Sequence, residues 1–242
     1  MTRIAIVTGG GDGLGREIVI GLAGAGYGVV VADVDAAAAR DCADRVAAVG
    51  VPARALRADV REPADLHRIV AAARGLGGPH VLVNNAGGWT PDQQYPQADA
   101  GAWTATITLN LIAPMMLGQL VLEPMRELGG GAIVNIASSG GLGAAPYGSP
   151  EYGAAKAGLI RFTSSVAGLA QTHRTRVMCV APDWIGLPRA QEQWRRLAVK
   201  ERALIPPADV VATVLNLIAD GTAGTVVEMW GGPPPKSSVD AE

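Results

Sequence analysis

The sequence predicts an α/β fold: a single-domain, doubly wound parallel sheet of seven strands with helices on both faces. Three observations predict it. Short runs rich in Val, Ile and Ala alternate with longer segments of helical period. Every interval between runs is long enough for the helix that parallel neighbours need as a crossover. A glycine cluster follows the first run directly, where such sheets open a helix and bind phosphate. Right-handed crossovers then make 3-2-1-4-5-6-7 the natural strand order.

The strands fall in order at 3–8, 28–33, 53–58, 80–84, 132–137, 176–181 and 225–230. Between them, helical spacing of apolar residues predicts helices near 14–25, 36–49, 63–74, 98–128, 151–172 and 207–219. Several open with Asp or Pro in the first turn, as helix starts do. No linker interrupts the alternation, so residues 1–232 form one domain. The tail at 233–242, which begins Pro233-Pro234-Pro235, reads as frayed or as an arm on a partner.

Composition excludes several classes. The chain is 49% hydrophobic and only 4% aromatic, so aliphatic packing dominates its core. Net charge is −2 with scattered basic residues, which leaves no electrostatic footprint for nucleic acid. Cys42 and Cys179 lack ligand-like spacing, so neither a metal site nor a disulfide framework is expected. No apolar run reaches the ~18 residues of a membrane span. The strand-like start at Ile4 lacks a signal-peptide pattern, and the expected location is the cytoplasm.

The first turn is Thr8-Gly9-Gly10-Gly11-Asp12-Gly13-Leu14-Gly15. Its glycines permit close backbone approach, and the helix N-terminus behind it offers N–H groups and a favourable dipole to a pyrophosphate. The second strand ends in Asp33, an acid placed to hydrogen-bond an adenosine ribose diol and to repel a 2′-phosphate. Asp12 adds negative charge nearby, and neither the turn nor Val34-Asp35 supplies a cation. The expected cofactor is NAD, not NADP. Asp33 could equally cap the following helix.

Tyr152 and Lys156 stand four apart in a predicted helix, which places an ammonium beside a phenol. A cation there favours phenolate and lowers the tyrosine pKa from its usual ~10. Lysine is scarce, with three in the chain against 17 arginines. A chance Tyr-x-x-x-Lys is expected only about 0.05 times.

Taken together, these residues resemble the short-chain dehydrogenase/reductase family, a Rossmann-like fold, from Ile4 to Gly232. Thr8-Gly9-x-x-x-Gly13-x-Gly15 resembles its cofactor turn, Asp59-Val60 its adenine-contacting pair, and Asn84-Asn85-Ala86-Gly87 the motif closing its fourth strand. Asn110, Ser139, Tyr152 and Lys156 match its catalytic tetrad. The resemblance implies cofactor contacts from Gly9, Asp12, Gly13, Leu14, Gly15, Asp33, Asp59, Val60, Asn85, Ala86, Gly87, Tyr152, Lys156, Pro182 and Ile185. It implies a homodimer or homotetramer packed through the helices that follow strands four and five. Tyr152 is then the proton-transfer group, Ser139 holds the substrate oxygen, Ser138 is a supporting hydroxyl, and Asn110 holds a water linked to Lys156. Where the family has Pro-Gly and, four residues past the glycine, a threonine, this chain has Pro182-Asp183 and Leu187.

Expected substrate contacts are Trp89, Ser139, Leu142, Tyr147 and Trp184, with Ala145 nearby; they are largely apolar or aromatic, and no cation stands out for an acidic substrate. The cover at 188–205 is short. These features predict NAD-dependent oxidation or reduction of a neutral secondary alcohol or ketone as the small-molecule substrate. Reduction of a 3-oxoacyl thioester and a non-catalytic NAD-binding scaffold are the competing expectations.

Overall fold

A computed structural model of the protein describes residues 2–90, 93–143, 148–188, 191, 194–195 and 203–232. Its strands are β1 (Ile4–Thr8), β2 (Gly28–Asp33), β3 (Ala53–Arg57), β4 (Val81–Asn84), β5 (Gly131–Ile136), β6 (Thr175–Pro182) and β7 (Val226–Met229). They form one sheet in the order β3-β2-β1-β4-β5-β6-β7, and every neighbouring pair is parallel. The helices are α1 (Gly13–Gly24), α2 (Ala36–Ala48), α3 (Pro63–Arg74), α4 (Ala100–Ile107), α5 (Ala113–Glu127), α6 (Pro150–Ser165), α7 (Leu169–Thr172) and α8 (Pro207–Asp220). The tail at 233–242 lies outside the described residues.

Side chains alternate across the sheet with period two, so each strand feeds two cores. Ala5, Val7, Val29, Val31, Val83 and Val134 face one side, against Ile18 and Leu22 of α1, Cys42 and Val46 of α2, and Val210 and Val214 of α8. Ile4, Ile6, Val30, Leu82 and Ile133 face the other, against Leu66 and Ile69 of α3 and Leu117, Val121 and Met125 of α5. All five β1 residues are buried, which is why the strand reads as an apolar run from Ile4 to Val7 before Thr8. Each of these large side chains contributes about 1.5–3 kcal/mol by leaving water.

Two predicted helices differ from the observed ones. The 98–128 helix contains a π-helical turn, Thr108–Ile112, between α4 and α5. Pro114, one turn later, has no N–H to give the Asn110 carbonyl, so the regular ladder cannot run through. The 151–172 helix ends at Ser165, and α7 is a separate turn. The expectation about membrane-length segments is also corrected. Ala100–Glu127 is long and apolar enough by composition to cross a membrane, with mean hydropathy 1.6. It carries apolar residues on two faces: one packs on the sheet, while Trp103, Ile112, Met115 and Met116 remain exposed.

The strand order reverses between β1 and β4, opening a crevice at their C-terminal ends. The Thr8 hydroxyl bridges it, accepting the backbone N–H of Asn85 at 3.0 Å and of Ala86 at 3.1 Å. Asn85 Nδ2 returns the tie by donating to the Thr8 and Gly9 carbonyls. Every predicted site segment follows a strand at this edge.

At the opposite edge, His80 Nδ1 accepts the Ile4 N–H at 3.0 Å. Burial first, then the charge of Arg3, hold the imidazole below its ordinary value of 6.5. The folded state resists a proton that the unfolded chain accepts, so this contribution is present above pH 6.5 and is lost as pH falls below it. His80→Asn, which keeps an acceptor but cannot titrate, is expected to flatten the acid-side loss of unfolding free energy in urea titrations between pH 7 and 5 relative to wild type.

Candidate active site

The glycine turn forms a cradle fit for a dinucleotide. Asp12 precedes α1 in extended conformation without capping it, and the first turn of α1 contains no acid, so its N–H groups meet no protein anion there. Gly13, at φ +53°, has open space on its Cβ side as far as Leu187 Cδ1 at 3.9 Å. Gly15 lets the helix press on the strand end: a Cβ there would lie 1.9 Å from the Gly9 carbonyl oxygen. Leu14 lines the adjoining cleft.

Beside the turn is a hollow of about 270 Å³ lined by Gly9, Asp33, Val34, Asp59, Val60, Arg61, Ala86, Gly87 and Leu109. Asp33 Oδ2 accepts the Gly11 N–H at 2.9 Å and Oδ1 accepts the Asp35 N–H at 3.0 Å, which fixes the carboxylate at the rim. Asp35, not Asp33, caps α2, accepting from Ala37 and Ala38. Asp12 is exposed and lines neither cavity. Arg61 was not among the expected residues. It is bound to Asp59, with Nη2 to Oδ2 at 2.6 Å, and this hydrogen bond holds the Asp59 carboxyl below the usual range.

Gly87 joins this hollow to a cleft of about 310 Å³ that gathers Trp89, Ser138, Ser139, Tyr152, Lys156, Pro182, Asp183, Trp184 and Ile185. Tyr152 and Lys156 share a face of α6, with Lys156 Nζ 5.5 Å from the centre of the tyrosine ring. Nζ donates to the Ile136 carbonyl at 2.7 Å, at the end of β5. Only 3% of Lys156 is exposed, and burial brings its ammonium down to about 8 while pushing the neighbouring Cys179 thiol up to about 12. Trp89 packs edge-on against the Tyr152 ring at 5.0 Å between centres, so it belongs to the site.

Asn110 is fully buried in the π turn. Its Nδ2 donates to the Gly88 and Thr106 carbonyls at 2.7 and 2.9 Å, and Oδ1 accepts the Gly88 N–H at 3.0 Å. Both amide donors are used within the protein, so this side chain pins the Gly87-Gly88 turn instead of reaching for a water through its N–H groups. Ser138 caps the short turn Ser139–Gly141, accepting the Gly140 N–H at 3.2 Å, as its expected supporting role requires.

Ser139 holds a partner that local spacing does not reveal: Oγ donates to Asp183 Oδ1 at 2.8 Å. Leu142 does not line the cleft; it packs against Ala137, Cys179 and Ala181, because the turn after β5 points it back toward β6. Tyr147 and Ala145 lie outside the described residues, as does most of the cover at 188–205. The Ile185 backbone flanks the cleft, since Ile205 bonds to Trp184 O and Gly186 N and leaves the Ile185 N–H directed to the other side.

The family model for short chain dehydrogenases matches residues 3–198, four fifths of the chain. The chain belongs to the short-chain dehydrogenase family. Its relatives within that family include (3R)-3-hydroxyacyl-CoA dehydrogenase of Rattus norvegicus, 30% identical over 250 residues covering 96% of both chains. Cyclohexanol dehydrogenase of an Acinetobacter species is 32% identical, covering 90% of this chain and 88% of the relative. Among solved structures, a 7α-hydroxysteroid dehydrogenase complexed with NADH and 7-oxo glycochenodeoxycholic acid superposes with TM-score 0.85 at 29% identity, covering 97% of this chain and 95% of that one. This short-chain dehydrogenase is therefore an oxidoreductase of hydroxyl and keto groups, in a family that binds nicotinamide cofactors.

The depressed Lys156 value makes a stability prediction with a definite sign. Between about 8 and 10.5 the folded protein releases a proton that the unfolded chain keeps, so the burial penalty is present below this window and is relieved as pH rises through it. Lys156→Met lacks that penalty. In paired urea titrations the variant should gain most on wild type at pH 7, and the difference should shrink by pH 10.5, while turnover is lost.

Proposed function

We propose that this protein is an NAD-dependent dehydrogenase that interconverts a neutral, largely apolar secondary alcohol and its ketone. The carrying observation is the Tyr152 phenol with the buried Lys156 ammonium beside it, in a cleft continuous with a hollow suited to adenosine. Bound NAD would supply the hydride acceptor. Gly13, Leu14 and Gly15 would hold its pyrophosphate, and the Ile185 backbone would meet its carboxamide end. Tyr152 removes the hydroxyl proton in oxidation and returns it in reduction. Lys156 favours the phenolate through its charge, strengthened by the low dielectric around it. Ser139, in the same cleft, fixes the reacting substrate within reach of the phenol.

The ribose end supports NAD. The Asp33 carboxylate is held at the rim of the hollow, and Arg61, the cation lining that hollow, is committed to Asp59. Assembly as a dimer or tetramer is supported by the outer face of α4 and α5. Met115 and Met116 are each 37% exposed there, beside Trp103 and Ile112.

Calorimetric titration should show NAD binding at least about 100-fold tighter than NADP, the size expected for a fixed, partly buried anion facing an added phosphate; equal affinities would refute the Asp33 reading. On a panel of secondary alcohols, Tyr152→Phe should lose roughly 10²–10⁴-fold in kcat, the contribution of a positioned proton-transfer group. Sedimentation should find the wild type assembled and the Met115→Glu/Met116→Glu double variant dissociated toward monomer.

A further inference from the structure

One buried acid takes no part in the proposed chemistry. Glu151 precedes Tyr152 in the first turn of α6, where the helix N-terminus favours negative charge, and only 7% of it is exposed. Its Oε1 accepts the Ser149 hydroxyl at 3.1 Å, and Ser149 is itself buried. Its Oε2 accepts the Tyr95 N–H at 3.3 Å, across 56 residues of chain. Tyr95 lies in the connection from β4 to α4, the one that carries Trp89.

That connection meets α6 a second time. Trp89 packs edge-on against the Tyr152 ring at 5.0 Å between centres, so consecutive α6 residues hold both ends of one stretch. Local bonds join the two ends: the Thr90 carbonyl accepts the Gln93 N–H at 3.3 Å and the Gln94 side-chain amide. The Gln94 carbonyl in turn accepts the N–H groups of Gln97 and Ala98, both at 2.9 Å. The contacts close a ring, from Glu151 through Tyr95, Gln94, Thr90 and Trp89 to Tyr152 and back along one peptide bond. A contacting side chain keeps one orientation only when its supports are fixed.

We propose that Glu151 is a positioning residue: its carboxylate latches the β4–α4 connection to α6 and so sets Trp89 as the wall that an apolar substrate meets beside Tyr152. Glu151 lines neither cavity, so it acts through Trp89. What the latch uses is an acceptor oxygen, not a charge. Glutamine keeps it, the amide oxygen taking the Tyr95 N–H while the NH2 donates to the Ser149 hydroxyl, which can accept. Alanine removes it. The proposal rests on the dehydrogenase reading above for its substrate measurements alone.

The test compares cyclohexanol, whose ring meets the wall, with 2-propanol, which has no ring to meet it. Both are oxidised under NAD by wild type, Glu151→Ala, Glu151→Gln, Trp89→Ala and the Glu151→Ala/Trp89→Ala pair, with circular dichroism to check folding. Glu151→Ala should lower the cyclohexanol-to-2-propanol ratio of kcat/KM by about 3–10-fold, the range for one hydrogen bond, chiefly through the cyclohexanol KM. Glu151→Gln should keep the wild-type ratio. In Trp89→Ala protein the alanine substitution should move the ratio no further. A ratio that Glu151→Ala leaves unchanged, that glutamine does not preserve, or that falls equally in both backgrounds overturns the latch and leaves the dehydrogenase reading standing. If wild type oxidises no secondary alcohol, the dehydrogenase reading fails, and tryptophan emission decides the latch separately. Glu151→Ala should then shift the wild-type spectrum and leave that of Trp89→Phe protein unchanged, whereas equal shifts in both or a shift in neither overturns it. Should Glu151→Ala not fold, Ser149→Ala, which releases one carboxylate oxygen, replaces it with the same expected direction.

Discussion

The arrangement depends on one buried charge. An ammonium taken out of water costs several kcal/mol unless its surroundings answer it. Lys156 is answered by the Ile136 carbonyl and by the ring of Tyr152. Space for it is kept by residues that are otherwise unremarkable in composition. A Cβ on Gly87 would fall 3.1 Å from Nζ and 2.7 Å from Asn110 Oδ1, so the turn after β4 must be glycine for the lysine and the asparagine to coexist. Asn110 in turn holds Gly88 from a helix turn widened ahead of Pro114. The buried charge beside Tyr152 thus constrains the ends of β4 and β5 and the path of the α4–α5 helix.

Those strand ends are tied by buried polar side chains. Asn84 donates to Asn135 at 2.9 Å across the β4–β5 pair, and Asn135 donates to Thr163 of α6 at 3.0 Å. Thr163 completes the chain by donating to the Leu159 carbonyl. Such groups are stabilising only when all are satisfied, and no described buried side-chain polar atom lacks a partner. The network joins the strand that leads into Asn85 to the helix that carries Tyr152 and Lys156. It transmits the rigidity of the sheet to Tyr152 and Lys156, while Thr8 and Asn85 do the same for the glycine turn.

Much of this was legible in the sequence because the determining signals are local. The all-apolar run at Ile4–Val7, the glycines that follow and the four-residue step from Tyr152 to Lys156 each state their structure within one element. The π turn was not legible, although Pro114 was in view, since its effect depends on how Asn110 is held by Gly88, 22 residues away. Leu142 was misjudged for a related reason: apolar character near a site does not say which side of a turn a residue faces. Arg61 looks like a cation for a phosphate until Asp59 is seen to hold it.

By itself the sequence determined the layered sheet, its strand order and the family, because periodicity, crossover length and short motifs act over short stretches of chain. Only the tertiary structure decided what each polar atom is bonded to. Ser139 and Asp183 are 44 residues apart, brought together because β5 and β6 pair in parallel and end at the same edge. A hydrogen bond has a direction, and here the one hydrogen of the Ser139 hydroxyl goes to Asp183. No spacing rule encodes it, since it is set by which two strand ends the sheet makes neighbours.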